Sequence, residues 1–387
     1  MVLVIAAALL LLLTRSTIPG ADPTGVTDSS AALNAAIRVL CNATCVPSEH
    51  RGGVGHSAPI TVNLDLEGGV YRLTQPIAVN STVACTGKLR IHDGTLLADP
   101  TLAEYRGAPA GAVDSANHSF LVTVLDWWNG LGFTLDRVVF ASNGTGGGVR
   151  VDAAHHVHIL NSQFVNFATV GIWGSALRGM GHDLVVDGVR MTECTGPMSE
   201  CADIAVKKAT AILIEFPDSH FRNSVITCGF RGIVNRAGAN NYRGLHIWTS
   251  CTGAAPFGFN TTIAFADETG STRVNDCYFD NAIVAISGYR GTLIANSYFN
   301  GGSRLVLAPP VKVERENHGT GQKVAVPLCA DPTTYISVLP LYMQCLISPH
   351  RGLTKSLYYV HVCSFMLGVE STRATRSVNT GRVRSAV

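Results

Sequence analysis

Charged residues are scarce in this chain, and their scarcity excludes several classes of partner. Only 14% of the 387 residues are Asp, Glu, Lys or Arg, and the formal net charge is +2. The sequence contains no stripe of Lys and Arg interleaved with aromatic residues, so no nucleic-acid partner is predicted. Aromatic residues are also few, at 7%, whereas 39 glycines and a hydrophobic fraction of 47% are typical of a chain that turns often and buries much of itself.

Long apolar runs are also missing. The longest covers residues 2–13, which is 12 residues, whereas a helix that spans a bilayer needs about 20. A run of this length is typical of a signal-peptide core, although the basic residues that usually precede such a core are absent. We therefore predict a signal peptide over residues 1–17, with a buried N-terminal strand as the alternative. The mature protein is expected to be secreted, without a membrane span.

The cysteines lack the spacing of a structural zinc site. No Cys-x-x-Cys pair occurs, histidines do not accompany the cysteines at ligand spacing, and no metal or other cofactor is predicted. Two close pairs suit disulfides in an oxidising compartment, although a total of 11 cysteines leaves at least one thiol over. These pairs are Cys41 with Cys45 and Cys194 with Cys201. A secreted chain could also carry glycans at its Asn-x-Ser/Thr sequons. The predicted glycosylation sites are Asn42, Asn80, Asn117, Asn143 and Asn260.

The stretch from Gly20 to Ile37 predicts a short helix that covers an apolar surface. A Gly-rich turn leads to Asp28 or Ser29 as the helix N-cap, and the following apolar residues fall on one face. This stretch resembles the opening of the pectate-lyase superfamily, in which a Gly-Ala-x-x-x-Gly-x-x-Asp segment precedes a helix that plugs the first coil. Residues 65–71 resemble the Gly-x-Tyr hairpin of the same family. The resemblance implies an all-β fold, a single-stranded right-handed parallel β-helix with a short N-terminal capping helix.

A repeated phrase supports a solenoid. From about residue 135 to about residue 308, short β-branched runs alternate with Gly, Asn and Asp turns. An Asn followed three residues later by an aromatic or aliphatic residue recurs at Asn161, Asn223, Asn275 and Asn296, and the last two are 21 residues apart. We interpret these Asn residues as scaffold, since Asn tolerates a left-handed backbone. The alternative is a β-sandwich, in which turns would recur about every 8 to 12 residues without a longer period.

The short strands sort into two alternating columns of interior residues. One column is expected near Val138, Ile159, Val185, Val225, Leu245, Val274 and Ile294. The other is expected near Val149, Ile172, Ile212, Ile233, Ile263, Val284 and Leu305. We therefore predict a β-helix domain over residues 18–310. The repeat fades after that, so residues 311–387 are expected to form a C-terminal extension, a cap or a disordered tail.

Polar neighbours of these columns are expected on the outer face, because alternate side chains of a strand face opposite ways. One column then displays Arg137, His158, Arg222, His246 and Trp248. The other displays Asp152, Glu215 and Asp267. Stacked coils lie about 4.8 Å apart, so these groups could meet in one groove. Such a groove suits a sugar, with Trp248, His158 and Arg137 as the predicted substrate-binding residues.

Three reactions on a polysaccharide would use this groove. Hydrolysis needs two carboxyl groups that flank the scissile bond, and Glu215 with Asp267 is the predicted pair. Elimination from a polyuronate needs a cation beside the substrate carboxylate and a base, for which Arg222 and His246 are predicted. Epimerisation would begin with the same proton abstraction. The polygalacturonase motifs Asn-Thr-Asp, Asp-Asp, Gly-His-Gly and Arg-Ile-Lys are absent, and no compact acidic cluster supports calcium.

The resemblance implies a secreted carbohydrate-active protein that acts on an extracellular acidic polysaccharide as a lyase, a glycoside hydrolase or an epimerase. The alternative is a non-catalytic β-helix protein of a cell surface or wall that binds glycans, which the missing catalytic motifs favour. Two motifs remain ambiguous. In His155-His156-Val157-His158 only His156 and His158 share a face, which argues against a metal site, and Trp127-Trp128 is either a sugar platform or a coil edge. The sequence predicts no oligomeric state.

Overall fold

The computed structural model falls into two compact units, residues 1–225 and residues 226–387. The residues that the structure describes are 18–43, 61–80, 88–102, 119–127, 132–192, 209–228, 231–249, 263–268, 271–280, 283–286, 292–300, 304–307, 312–313 and 318–319. Several predictions fall outside these ranges: the signal peptide, and those on Cys45, Cys194, Cys201, Asn117, Asn260 and Trp128. No helix within these ranges is both long and apolar enough to cross a membrane.

The first unit contains one described helix and a series of short strands. They are β1 (Thr24–Asp28), α1 (Ser30–Ala43), β2 (Thr61–Asp65), β3 (Val70–Leu73), β4 (Ile77–Asn80), β5 (Lys88–Ala98), β6 (Phe120–Leu125), β7 (Phe133–Ala141), β8 (Gly147–Asp152), β9 (His155–Leu160), β10 (Gln163–Val165), β11 (Val170–Ser175), β12 (His182–Asp187), β13 (Arg190–Thr192), β14 (Thr210–Ile214) and β15 (His220–Arg222).

Helix α1 forms where the sequence predicted it. Ser29 is its N-cap, because the Leu33 amide donates to the Ser29 carbonyl at 3.0 Å. The apolar face of α1 is fully buried through Leu33, Ile37 and Cys41. Asn34 ties the helix to the edge strand β4, since its amide group donates to the Pro76 carbonyl at 3.1 Å and its Oδ1 accepts from the Ala78 amide at 2.9 Å. The helix thereby satisfies backbone groups that an open strand edge would expose.

Each coil of the first unit carries three strands, which we call its first, second and third strands. Parallel pairing links β5, β7, β9, β12 and β15 as first strands. It links β7, β10 and β13 as second strands and β4, β6, β8, β11 and β14 as third strands. The long strand β7 serves as both a first and a second strand. The predicted parallel β-helix with an N-terminal helix is confirmed.

The second unit repeats the same three-strand coil. Its strands are β16 (Val225–Cys228), β17 (Arg231–Asn235), β18 (Asn241–Arg243), β19 (His246–Thr249), β20 (Ile263–Asp267), β21 (Arg273–Asn275), β22 (Tyr278–Asp280), β23 (Ile283–Ile286), β24 (Leu293–Ala295), β25 (Tyr298–Asn300), β26 (Arg304–Leu307), β27 (Lys312–Val313) and β28 (His318–Gly319). The parallel series are β18–β21–β24–β27, β19–β22–β25–β28 and β17–β20–β23–β26. Coil pairing thus continues to residue 319.

A residue with a left-handed backbone marks the corner between the first and second strands of a coil. Its φ lies between +49° and +66° in both units. The residues at this corner are Asp93, Arg137, Asn161, Gly188 and Asn223 in the first unit, and Gly244, Asp276 and Asn296 in the second. Gly, Asn and Asp adopt this conformation most readily, so the repeated Asn serves the backbone. In the phrase that begins at Asn275 the corner residue is the next one, Asp276.

Where the residue after the corner is a serine, it links successive coils. The Ser162 hydroxyl donates to the carbonyl of Leu160 at 2.7 Å and accepts from the Val138 amide of the preceding coil at 3.1 Å. Ser297 does the same in the second unit, where it accepts from the Cys277 amide, 20 residues earlier in the chain, at 3.3 Å. Cys277 occupies the equivalent position of its own coil as a free, buried thiol.

The predicted interior columns are partly right. The third-strand column is confirmed at most positions, because Val149, Ile172 and Ile212 stand level across three coils, as do Val284 and Leu305. Ile263 is half-buried, and Phe265, two residues on and on the same side of the strand, is the fully buried residue level with Ile233. The other column combined residues of first and second strands. Within that column Val185 and Val225 are wrong. Their fully buried neighbours Val186 and Ile226 take the interior positions.

Candidate functional site

Glu215 lies on the first unit, beside an aromatic ring. It follows β14, is half-buried, and accepts a hydrogen bond from the Trp173 indole N–H at 3.1 Å. The same ring packs against the Arg150 guanidinium, whose carbon is 4.8 Å from the ring centroid. Arg150 forms an ion pair with Asp152 at 2.6 Å, and both residues are buried. The predicted display of Asp152 to solvent is therefore wrong, because its charge is neutralised within a covered face.

Asp267 is fully buried in the second unit. Its carboxylate accepts from the Asn235 amide group at 3.0 Å and from the Thr292 hydroxyl at 2.6 Å. The same Asn235 accepts from the Tyr242 hydroxyl at 3.0 Å, and burial, with the nearby Asp267 charge, raises the pKa of Tyr242 well above its usual value. The predicted position of Asp267 on the outer face is wrong, because Asp267 lies two residues from the interior Phe265 and shares its side of the strand. The catalytic pairing of Glu215 with Asp267 stays a prediction.

Arg137 is the corner residue of its coil and is held by carboxylates. Its Nε and Nη2 atoms each donate to the Asp93 carboxylate at 2.5 Å, and its Nη1 donates to Asp136 at 2.9 Å. These contacts hold the pKa of Asp93 well below its usual range. Asp93 also belongs, with Asp65 and His92, to the group of possible metal ligands found among the described residues. Because Arg137 engages both oxygens of Asp93, this arrangement does not favour a cation.

His158 and Arg222 lie on first strands of the first unit. His158 is half-buried, and burial lowers its pKa, with further lowering by the charges of His156, Lys88 and Arg222. Arg222 is exposed and lies 3.6 Å from the Asp187 carboxylate, measured from its Nε. Arg222 belongs to the first unit and His246 to the second, and their predicted cooperation stays a prediction.

His246 and Trp248 belong to a cluster on the outer face of three second strands. We define the His246 cluster as His246, Trp248, Tyr278, Asp280 and Tyr298. Parallel register places His246 level with Tyr278 and then Tyr298, and places Trp248 level with Asp280. The imidazole of His246 meets the Trp248 ring at a centroid distance of 4.4 Å and the Tyr278 ring at 4.6 Å, both nearly edge to face. The Tyr278 and Tyr298 rings stack at 4.8 Å.

The imidazole of His246 combines accessibility with fixed orientation. Its side chain is 35% exposed, and its Nε2 lies 3.2 Å from Asp280 Oδ2. A histidine within reach of solvent, held by a carboxylate and by two rings, can take up or release a proton at a defined position. The structure thus brings together two predicted site residues, His246 and Trp248.

Sequence reasoning missed Tyr278, Asp280 and Tyr298. A signal was present, because Tyr278-Phe279-Asp280 and Tyr298-Phe299-Asn300 repeat an aromatic, Phe, polar pattern across neighbouring coils. The central Phe residues of this pattern stack in the core with ring centroids 5.3 Å apart. The flanking residues must therefore face outward.

The other predicted positions within the described residues are Trp127, Cys41 and three sequons. Trp127 is buried and is not a sugar platform. Cys41 is buried, and its predicted disulfide with Cys45 stays a prediction. Among the described sequons, Asn42 and Asn143 are exposed and Asn80 is half-buried in β4.

Comparisons with known proteins give likeness of fold only. No protein-family model and no curated protein matches the chain. Among solved structures, a protein of a Geobacillus virus is 13% identical with a TM-score of 0.46, over 84% of this chain and 65% of that one. The Streptococcus pneumoniae surface adhesin PfbA is 11% identical with a TM-score of 0.40, over 79% and 91% of the two chains. An endo-xylogalacturonan hydrolase from Aspergillus tubingensis is 13% identical with a TM-score of 0.45, over 84% and 87%.

This chain spans only 65% of the length of the Geobacillus virus protein. Similarities at this level say nothing specific about a reaction or a ligand. The parallel β-helix of this chain is established by its own strand pairing.

Proposed function

We propose that this protein is a carbohydrate-active β-helix protein that binds a polysaccharide at the His246 cluster and acts on it with His246 as the acid–base group. The observation that carries the proposal is the half-exposed imidazole fixed between two aromatic rings and a carboxylate. Ligand sites commonly combine aromatic surface with a few placed polar groups. Imidazole is the side chain most often used for proton transfer near neutral pH.

The arrangement across coils favours an extended, repetitive ligand. The cluster spans three successive strands, β19, β22 and β25. The stacked rings of Tyr278 and Tyr298 repeat at 4.8 Å along this direction. A linear polymer lying across the coils would therefore meet similar groups at regular intervals, which a compact small molecule would not use.

Proton abstraction is the reaction step that this site supports best. Elimination and epimerisation of a uronate both begin when a base removes a carbon-bound proton, and one histidine can supply that base. Hydrolysis requires two carboxyl groups at the scissile bond, whereas Asp267 of the predicted pair is fully buried. A secreted location is part of this proposal, on the strength of the N-terminal apolar run and the sequons. An acidic polysaccharide is part of it because elimination and epimerisation by proton abstraction both act on a uronate.

The test is incubation of the purified protein with a panel of polyuronates and neutral glycans, followed by mass spectrometry and binding measurements. Unsaturated, water-deficient product ends would identify a lyase, and saturated fragments a hydrolase. Conversion without chain cleavage, read by NMR, would identify an epimerase. Trp248→Ala is expected to weaken binding at least tenfold, and His246→Gln to abolish turnover. The control Arg243→Ala changes an exposed residue that pairs with Asp276 at 3.0 Å outside the cluster.

Two results would overturn parts of this proposal. Binding to a glycan without any product would replace the enzyme with the non-catalytic glycan-binding protein. Unchanged binding in Trp248→Ala and unchanged turnover in His246→Gln would remove the cluster as the site.

A further inference from the structure

We propose that Asp280 is a positioning residue for His246, which holds the neutral imidazole in the tautomer with its proton on Nε2 and so leaves Nδ1 as the base. The inference deepens the proposed function, and rests on it only for the task given to Nδ1. Asp280 lies on the coil after His246, 34 residues further along the chain. Its strand β22 stands beside β19, with Asp280 level with Trp248.

The contact between the two side chains fixes the direction of the hydrogen bond. Asp280 Oδ2 lies 3.2 Å from His246 Nε2. An ionised carboxylate only accepts hydrogen bonds, so Nε2 must be the donor. In a neutral imidazole the other nitrogen, Nδ1, then carries the lone pair. No described residue hydrogen-bonds to Nδ1.

Two rings oppose rotation of the imidazole. Trp248 meets it at an interplanar angle of 81° and Tyr278 at 84°, with centroid distances of 4.4 Å and 4.6 Å. A ring flip would exchange the positions of the two nitrogens, and would have to pass between these neighbours. The edge-to-face packing therefore keeps Nε2 toward Asp280.

Asp280 itself depends on this contact. The side chain is 19% exposed, and its second oxygen, Oδ1, is buried with no hydrogen-bond partner among the residues that the structure describes. Loss of the His246 donor would leave this largely buried carboxylate without a side-chain hydrogen bond from the described residues, which is energetically costly. A His246 tautomer with its proton on Nδ1 would turn two lone pairs toward each other, so the carboxylate selects the Nε2 proton.

The test reads the tautomer directly in the full chain without any glycan. Long-range 1H–15N spectra of histidine-labelled protein at a pH where His246 is neutral distinguish the two tautomers by their 15N shifts, and the His246→Gln spectrum identifies the signals. Wild-type His246 is expected to show only the Nε2–H form. Asp280→Asn is expected to give a mixture, because the amide can donate as well as accept. Asp276→Asn, an exposed acid that pairs with Arg243, is expected to leave His246 unchanged.

An Nδ1–H form in the wild type would overturn the inference before any variant is made, so a folding failure of Asp280→Asn does not protect it. An unchanged tautomer in a folded Asp280→Asn would overturn it as well. If the protein proves to be an enzyme, Asp280→Asn is expected to lower kcat by about a hundredfold or more with little change in KM. A tautomer that depends on Asp280 in a protein that processes no glycan would retain the inference and reject the proposed function. Turnover of a glycan, together with a His246 tautomer that does not change in Asp280→Asn, would retain the proposed function and reject the inference.

Discussion

Trp173 donates its indole N–H to the carboxylate of Glu215 at 3.1 Å, from one coil of the first unit to the next. This contact gives Glu215 a structural role that is separate from any catalytic one. Glu215→Leu removes this acceptor from a part-buried donor and is expected to lower the free energy of unfolding by about 1–2 kcal/mol. Glu215→Gln retains an acceptor oxygen and is expected to unfold close to the wild type. Urea denaturation measures both.

Equal stability of the two Glu215 variants would mean that the indole contact contributes nothing. The same two variants separate the predicted catalytic role of Glu215 from its structural role. A folded Glu215→Gln without turnover would assign Glu215 to the reaction, and full turnover would leave it in the scaffold.

Asp267 and Glu268 are adjacent acids with opposite environments. Asp267 is fully buried and accepts from Asn235 and Thr292. Asp267→Ala is therefore expected to lower the free energy of unfolding by about 2–4 kcal/mol, because buried donors lose their acceptor. Glu268→Ala, which breaks an exposed ion pair with Arg236 at 2.9 Å, is the matched control and is expected to cost less than about 1 kcal/mol. Similar losses in both variants, measured by urea denaturation, would contradict the buried cluster.

Stability is expected to decrease as the pH falls through the titration of histidine. The pKa values of His155 and His158 are lowered from 6.5, in both cases chiefly by burial. The folded protein therefore binds these protons less readily than the unfolded chain does. Their contribution to stability is complete above pH 6.5 and is lost progressively below it. The melting temperature should be lower at pH 5.5 than at pH 7.5.

The double variant His155→Gln, His158→Gln provides the control for this pH dependence, and is expected to flatten it. Asp93 and Asp136 do not confound this window. Burial opposes the shift at Asp136, but hydrogen bonds and arginine charges lower the pKa values of both carboxyl groups from 3.8. Their stabilisation is present above pH 3.8 and is lost only as the pH falls further. A melting temperature that is constant between pH 7.5 and 5.5 would contradict the assignment.

The corner at Asn296 tests the left-handed backbone. Asn296 is exposed and has a φ of +50°. Asn296→Gly is expected to be nearly neutral, because glycine adopts this conformation without strain. Asn296→Val is expected to cost about 1–2 kcal/mol or more, because a β-branched side chain clashes there. Thermal unfolding of the two variants decides, and a valine variant as stable as the glycine variant would contradict the corner geometry.

The fold was predictable because its signals are local. The N-cap at Ser29 lies immediately before the helix that it caps, and the left-handed corner at Asn161, Asn223 and Asn296 requires a residue type that is visible in the sequence. These features do not depend on which coil lies beside which. Alternation within a strand then placed most interior residues of the third strands correctly.

The candidate site was less predictable because it depends on register between coils. His246 and Asp280 are 34 residues apart, and sequence alone does not give the alignment of β19 with β22. Asp267 was misplaced for a different reason. It lies two residues from Phe265 and level with Asn235, so its carboxylate faces inward to Asn235 and Thr292, and a charged residue is not expected at an interior position. Burial of Asp152 was hidden too, because its ion pair with Arg150 lies on a face that alternation assigns to the outside.

A left-handed corner recurs in successive coils, as at Asn161, Gly188 and Asn223 in the first unit and at Gly244, Asp276 and Asn296 in the second. A serine after the corner adds a link to the preceding coil at Ser162, Ser224 and Ser297, whereas valine, leucine or cysteine follows the corner in other coils. An in-frame duplication or loss of one entire coil would leave every corner in phase. A gain or loss of only a few residues would move a left-handed corner into a strand. The natural unit of length variation in this protein is consequently the coil rather than the residue.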